Sequence, residues 1–204
     1  VPADCELDLK AIARATGELA DTVVELDADA RLFVLGEHFR ASSAGRLHLD
    51  HRVEQVVRAV QRPVLVVTGS RFATPERFVI AFDGSPTARR TVERVAASPL
   101  LAGLPVLVAM AGADAGPARR QLDEARSALE QAGFRVETEL IPGEPEAVLP
   151  PLLKAQGASL LVMGAYGHSR IRQLVVGSTT TTLLRTADAP ALILRQGRLA
   201  PGGA

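Results

Sequence analysis

The sequence is poor in the features that most often announce a chemistry. Of its 204 residues only Cys5 is a cysteine, so neither an internal disulfide framework nor a cysteine-based zinc motif can form, a usage that fits a reducing cytoplasm. Charge of either sign is not in excess: 23 Lys and Arg stand against 23 Asp and Glu, and no global field gathers nucleic acid, an acidic substrate or an anionic membrane surface. A ligand must therefore be held by a local site. No apolar run approaches the roughly 20 residues a spanning helix needs, and the opening residues lack the pattern of a secretory signal peptide. Neither Gly-x-x-x-x-Gly-Lys-Ser/Thr nor Gly-x-Gly-x-x-Gly occurs, which removes the P-loop and the dinucleotide fingerprint from consideration.

What the chain does have is a 47% hydrophobic content, ample for a packed core, and one stretch in which glycines, hydroxyls and arginines concentrate. Residues 159–163 are a short apolar run of β type, after which the sequence switches to Gly164-Ala165-Tyr166-Gly167-His168-Ser169-Arg170 and reaches Gly177-Ser178-Thr179-Thr180. Such a switch is the exit of a strand into a loop. Glycines at 164 and 167 let a backbone turn and approach a ligand closely. Gly177 to Thr180 reads as a helix start, where unpaired N–H groups and the positive end of the macrodipole welcome an anion, and its hydroxyls add donors. One turn glycine or one Ser N-cap would need no ligand to explain it. The complete spacing of Gly, two residues, Gly, nine residues, Gly-Ser between two β-type runs shifts the reading toward a phosphate cradle.

That pattern closely resembles the nucleotide-binding signature of the universal stress protein family. The resemblance extends over residues 78–195, and a partial second copy occupies the N-terminal third. It implies a doubly wound α/β fold with a parallel five-stranded sheet in the order 3-2-1-4-5, and binding of ATP or a related adenine nucleotide, with which magnesium could travel. The expected boundaries are a partial, degenerate copy over residues 1–70 and a complete nucleotide-binding copy over 71–204.

The rest of the chain fits this plan. In the second copy, strands are expected over 77–82, 105–110, 134–141, 160–163 and 191–194, with helices over 86–97, 117–133 and 145–156 between them; strands alternating with helices argue for a parallel sheet. In the first copy a weakly alternating strand is read over 5–17, a helix over 18–26, a strand over 31–36, a helix over 50–60 and a strand over 63–67. Leu32-Phe33-Val34-Leu35-Gly36 matches Leu161-Val162-Met163-Gly164, and Arg62-Pro63-Val64-Leu65-Val66 matches Ala189-Pro190-Ala191-Leu192-Ile193. Its ligand chemistry is gone: Phe39 stands in place of Gly167, and Asp50-His51 stand roughly where Gly177-Ser178 do. A carboxylate there repels phosphate and occupies the free N–H groups itself. His48 and His51 lie one helical turn apart, but no further ligand accompanies them, so no metal site is expected.

Sheet order places strands one and four side by side at the switch point, where ligands of open α/β sheets lie. Strand one ends in Ala81-Phe82-Asp83-Gly84-Ser85. Asp83 can cap the following helix or bind a ribose hydroxyl or adenine amino group; the two readings stand about even on the residues, and the resemblance favours the ligand. It also implies that Met110 and Met163 wall the base. His168 has no evident orienting partner and is read as a phosphate or solvent contact rather than a base; Arg170 and Arg172 either neutralise phosphate or are solvated. No catalytic residue is expected. The leading expectation is an adenine-nucleotide-binding stress-response protein of the cytoplasm. An interaction module that keeps the fold without a nucleotide, and a slow ATPase, are the alternatives. Members of the family associate through strand five, so the two copies are expected to pack there, and homodimerisation is open. Because the partial copy lacks counterparts of strands one and two, and Val1 replaces an initiator Met, an upstream strand-helix-strand-helix unit is expected.

Overall fold

The computed structural model describes residues 19–36, 51–67, 73–157, 159–165, 182–184, 186 and 189–195. Its elements alternate as the periodicity requires: α1 (Leu19–Leu26), β1 (Phe33–Gly36), α2 (His51–Ala59), β2 (Val64–Val67), β3 (Arg77–Ala81), α3 (Pro86–Ala96), a 3-10 turn (Pro99–Leu101), β4 (Val106–Ala111), α4 (Gly116–Gln131), β5 (Val136–Ile141), α5 (Pro145–Ala155), β6 (Ser159–Ala165) and β7 (Ala191–Arg195). The expected strand over 5–17 lies outside the described residues, as does the helix start at Gly177. No helix among the described residues is long and apolar enough to cross a membrane.

Local chemistry explains the boundaries. α3 begins where Ser85 accepts a hydrogen bond from the Ala88 N–H at 3.2 Å, with Pro86 at the first helical position, a place where its missing donor costs nothing. α4 buries Leu122, Ala125 and Leu129 on one stripe. It ends at Gly133, whose φ of 88° lets the Phe134 N–H turn back to the Leu129 carbonyl at 3.1 Å. Phe134 then packs edge-on against Phe78, with ring centroids 5.8 Å apart.

The strands form one seven-stranded sheet in the order β1-β2-β7-β6-β3-β4-β5. From β7 to β5 every pairing is parallel, as is β1 with β2. The exception is β2 with β7, which is antiparallel, with Val64 opposite Ile193, Leu65 opposite Leu192 and Val66 opposite Ala191. The sequence expects a five-stranded sheet with a partial copy packed on it through the two fifth strands; this seam joins all seven strands into one sheet, because each of the two apolar edges supplies the backbone partners the other lacks. The run β1-β2-β7-β6 reads alike from either side of the seam.

Helices cover both faces. Val56 and Val57 from α2, Val60 just after it, and Leu149 and Leu153 from α5 pack with Val64, Leu161 and Ile193 on one face; α3 and α4 pack with Phe78, Val108 and Val162 on the other. Central strands are therefore apolar at successive residues: Phe78, Val79 and Ile80 are all buried, the pattern of a sheet covered on both sides.

Two hydrogen-bonded brackets tie the N-terminal third down. The Asp27 carboxylate accepts from the Gln61 and Arg62 N–H groups at 3.0 and 3.1 Å, while the Arg62 guanidinium donates to the Asp27 and Ala28 carbonyls at 2.8 and 2.7 Å. α1 and the turn into β2 are thus clasped reciprocally. At the end of β7, Arg195 donates to the Val57 and Arg58 carbonyls, each at 2.9 Å. A cation there satisfies the last carbonyls of α2 and complements the negative end of its dipole.

Replacing Leu65 with Asp puts a carboxylate opposite Leu192 on a face packed against the α3 and α4 core. The expected cost is about 2–4 kcal/mol, together with light scattering that rises as the seam opens. Urea unfolding and static scattering measure both; an unchanged midpoint with unchanged scattering would show that the seam carries no weight.

Candidate functional site

The carboxyl ends of β3 and β6 meet side by side at the centre of the sheet, with β4 and β5 on one flank and β7 on the other. The chain leaves β3 toward a helix on one face and returns into β6 from a helix on the other, since α3 packs in one core and α5 in the opposite one. This divergence marks the switch point of the sheet, the usual place of a ligand in an open α/β sheet.

Of the residues singled out in the sequence, the described part holds Ala81, Phe82, Asp83, Met110, Met163 and Gly164. Gly167, His168, Arg170, Gly177, Ser178, Thr179 and Thr180 lie outside the described residues, as do Arg172 and His48. Asp83 is exposed just beyond β3. Its Oδ1 accepts the Ser85 N–H at 3.0 Å, so the carboxylate holds the turn that Gly84 makes with a φ of 71°, a conformation that suits a residue without Cβ. The helix cap itself is Ser85, while Asp83 closes the turn before it, and a carboxylate with two oxygens keeps acceptor capacity for more. Among the described residues no cation is paired with it.

Gly164 has a packing reason as well. A Cβ built there would meet Thr91 Oγ1 at 2.5 Å and Thr87 Cγ2 at 2.8 Å, because α3 crosses close over the end of β6. Thr91 is itself buried, its hydroxyl donating to the Thr87 carbonyl at 3.0 Å. The glycine permits the helix–strand contact whether or not a ligand is nearby.

The two methionines do not make a pair. Met163 is buried in the core with Leu161 and Ile193, whereas Met110 packs, with Val106 and Val108, against the core on the opposite face. Alternation along each strand puts them on opposite sides of the sheet. The β4 residue on the face of Met163 and Ala81 is Ala111, two beyond Ala109 and partly exposed. A second missed residue is Gln121: from α4 its carboxamide fills the space beside Gly84.

Arg119, at the start of α4 near the same end of the sheet, is engaged by Asp114, with Nε to Oδ1 at 2.6 Å and a second close contact from the other guanidinium nitrogen. This hydrogen bonding, reinforced by the opposite charge, holds the Asp114 carboxyl below its ordinary range. The pair is exposed and leaves little uncompensated positive charge there for a phosphate.

A mostly parallel α/β sheet covered by helices on both faces is a doubly wound architecture. Residues 102–195 match the model of the universal stress protein family. A universal stress protein of Synechocystis is 36% identical over 186 residues, 90% of this chain and 64% of that protein. The chain belongs to the universal stress protein family, and it spans just under two thirds of the length of that relative. Among solved structures, a universal stress protein from Archaeoglobus fulgidus superposes with a TM-score of 0.68 at 16% identity, covering 87% of this chain and 65% of that one. Another, described as a universal stress protein in complex with cAMP, is 27% identical with a TM-score of 0.51 over 60% of this chain and 98% of its own.

Gly164→Ala should lower stability by about 1–3 kcal/mol with no nucleotide present, because neither the buried Thr91 nor the Thr87 backbone can give way cheaply. Chemical denaturation checks this, and adding Thr91→Ala, which removes the closest atom, should restore part of the loss.

Proposed function

We propose that residues 71–204 bind an adenine nucleotide, ATP or a close relative, across the carboxyl ends of β3 and β6, as part of a stress-response or signalling role. The observation that carries this reading is the juxtaposition of Asp83, exposed at the end of β3, with the strand whose continuation holds the Gly167 to Thr180 signature. On this proposal Ala81 and Phe82 lead into the site, Asp83 contacts ribose or the adenine amino group, and Met163 and Ala111 lie under the base. Gly164, Gly167, His168 and Arg170 form the loop toward the phosphates, and Gly177, Ser178, Thr179 and Thr180 supply the N–H groups and hydroxyls of a helix start. The cAMP complex of a relative supports an adenine nucleotide as the ligand class.

The five strands β5-β4-β3-β6-β7 are then one family unit in its 3-2-1-4-5 order. β1 and β2, with α1 and α2, are a partial and degenerate copy over 1–70, packed on it through the two fifth strands. The likeness of β1-β2 to β6-β7 about the seam supports this. A second reading keeps the fold as an interaction module without nucleotide; it is favoured by Asp83 and Gly164 each having a structural task already.

Denaturing the purified protein and chromatographing what it releases separates the two readings. Gly177→Val should lower adenine-nucleotide affinity by tenfold or more, about 1.4 kcal/mol, while thermal unfolding of the unliganded protein moves little; isothermal titration and a melting curve test the pair. Changing Asp50, its counterpart in the first copy, should leave affinity as it was. Equal affinity in the Gly177→Val and parent proteins would place the phosphate elsewhere.

A further inference from the structure

Prolines gather around α5, at 142, 145, 150 and 151, and the last two stand inside the helix. Pro145 opens it, where a missing donor is harmless. Pro150 and Pro151 bring no N–H to mid-helix, so two consecutive rungs of the ladder cannot form, and each proline disfavours helical backbone at the residue before it. The entrance to the helix is lightly held as well. Glu144 at the N-cap makes no side-chain hydrogen bond, and Gly143 bends the chain with a φ of 129°. Ala147 and Val148 donate to the Glu144 carbonyl at 2.9 and 3.1 Å. α3, by contrast, has the Ser85 cap and no proline beyond its first position.

The far end of α5 is anchored. The Leu153 carbonyl accepts the Ser159 hydroxyl of β6 at 3.4 Å, and the Gln156 carboxamide accepts from Arg77 of β3 at 2.5 Å. Leu149 and Leu153 are both buried in the core. The helix from Leu149 onward is thus fixed to the sheet, whereas its first turn lies between a glycine bend and a pair of prolines, the usual cause of a break in a helix.

That first turn faces the base side of the proposed site. α5 packs against β4 and runs antiparallel to it, because it carries the chain from the end of β5 back to the start of the parallel strand β6. On this face β4 presents Leu107 and Ala109, with Ala111 next in phase. Four helical residues advance about 6 Å and two strand residues about 6.6 Å, so the helix from Leu153 to Leu149 spans the same length as Leu107 to Ala109, and the turn before Leu149 extends toward the level of Ala111. Val148 and Ala81 both pack against the core that contains Met163. Val148 also leans on the bend, since a Cβ at Gly143 would meet its Cγ1 at 2.8 Å.

We propose that the first turn of α5, residues 145–148, is a hinged wall of the nucleotide site, pivoting at Leu149-Pro150 and closing Val148 on the adenine ring; this rests on the reading of the site given above. The base and not the phosphates belongs beneath the turn, because the exposed carboxylate of Glu144 repels a phosphate. Opening the turn breaks few bonds, and a bound base supplies the apolar surface that holds it shut.

Amide hydrogen exchange of the full chain, followed by NMR, tests this. In the free protein Ala147 and Val148 should exchange at least about a hundredfold faster, relative to unprotected peptide, than Leu153 and Lys154. Saturating ATP should slow Ala147 and Val148 by about tenfold or more, since exchange through a local opening is insensitive to a ligand that does not touch the opening segment. Pro150→Ala with Pro151→Ala supplies the two missing donors and should slow the same amides about tenfold without any ligand. Equal protection along α5 in the free protein would overturn the hinge. If calorimetry shows ATP bound while Ala147 and Val148 exchange as before, the turn is no wall of the site. If calorimetry shows no binding, the reading of the site fails and the wall with it.

Discussion

Backbone N–H and C=O groups at a strand edge must be paired or exposed to water, and the architecture here follows from how one pair of edges is resolved. β2 and β7 are short and apolar on both faces, and each alone would be a template for association. Set antiparallel, they satisfy each other and merge the two halves into one sheet. Every helix position then follows from covering a seven-stranded surface on both sides. The Arg195 contact with the end of α2 adds directional, charge-assisted bonds to a junction that is otherwise apolar.

Elements and their order were legible because hydrophobic periodicity and punctuation agree. Gly133 ends α4 and Ser85-Pro86 starts α3 where the sequence suggests, and most strand ends shift by only a residue or two. Pairing across the seam could be anticipated from apolar character alone, but neither its antiparallel register nor the Asp27–Arg62 clasp could: both depend on residues brought together from distant parts of the chain. Site residues were less legible. Met110 and Met163 both stand near strand ends in the sequence, and one residue of phase puts them on opposite faces of the sheet. Gly164 read as room for a ligand, and the structure adds a second need for the missing Cβ in the contact with Thr87 and Thr91.

This double use of residues shapes what substitution can report. A carboxylate that builds its own turn and a glycine that admits a helix will each affect stability when replaced, so loss of binding in such variants has two sources. Gln121 reaches the β3–α3 turn from α4 and sets that turn beside a helix on the face opposite Met163.

The Arg195–Val57 contact spans 138 positions of sequence, and this has a consequence for biosynthesis. At about 5–20 residues per second, β2 and α2 leave the ribosome roughly 7 to 28 s before the strand that covers and caps them exists. Domains commonly fold from the N-terminus as they emerge, but this N-terminal third cannot complete its edge that way. During that interval its apolar edge is open to neighbouring nascent chains, so the burden of keeping the molecule soluble falls on the time of translation and on any chaperone in attendance, rather than on the finished fold.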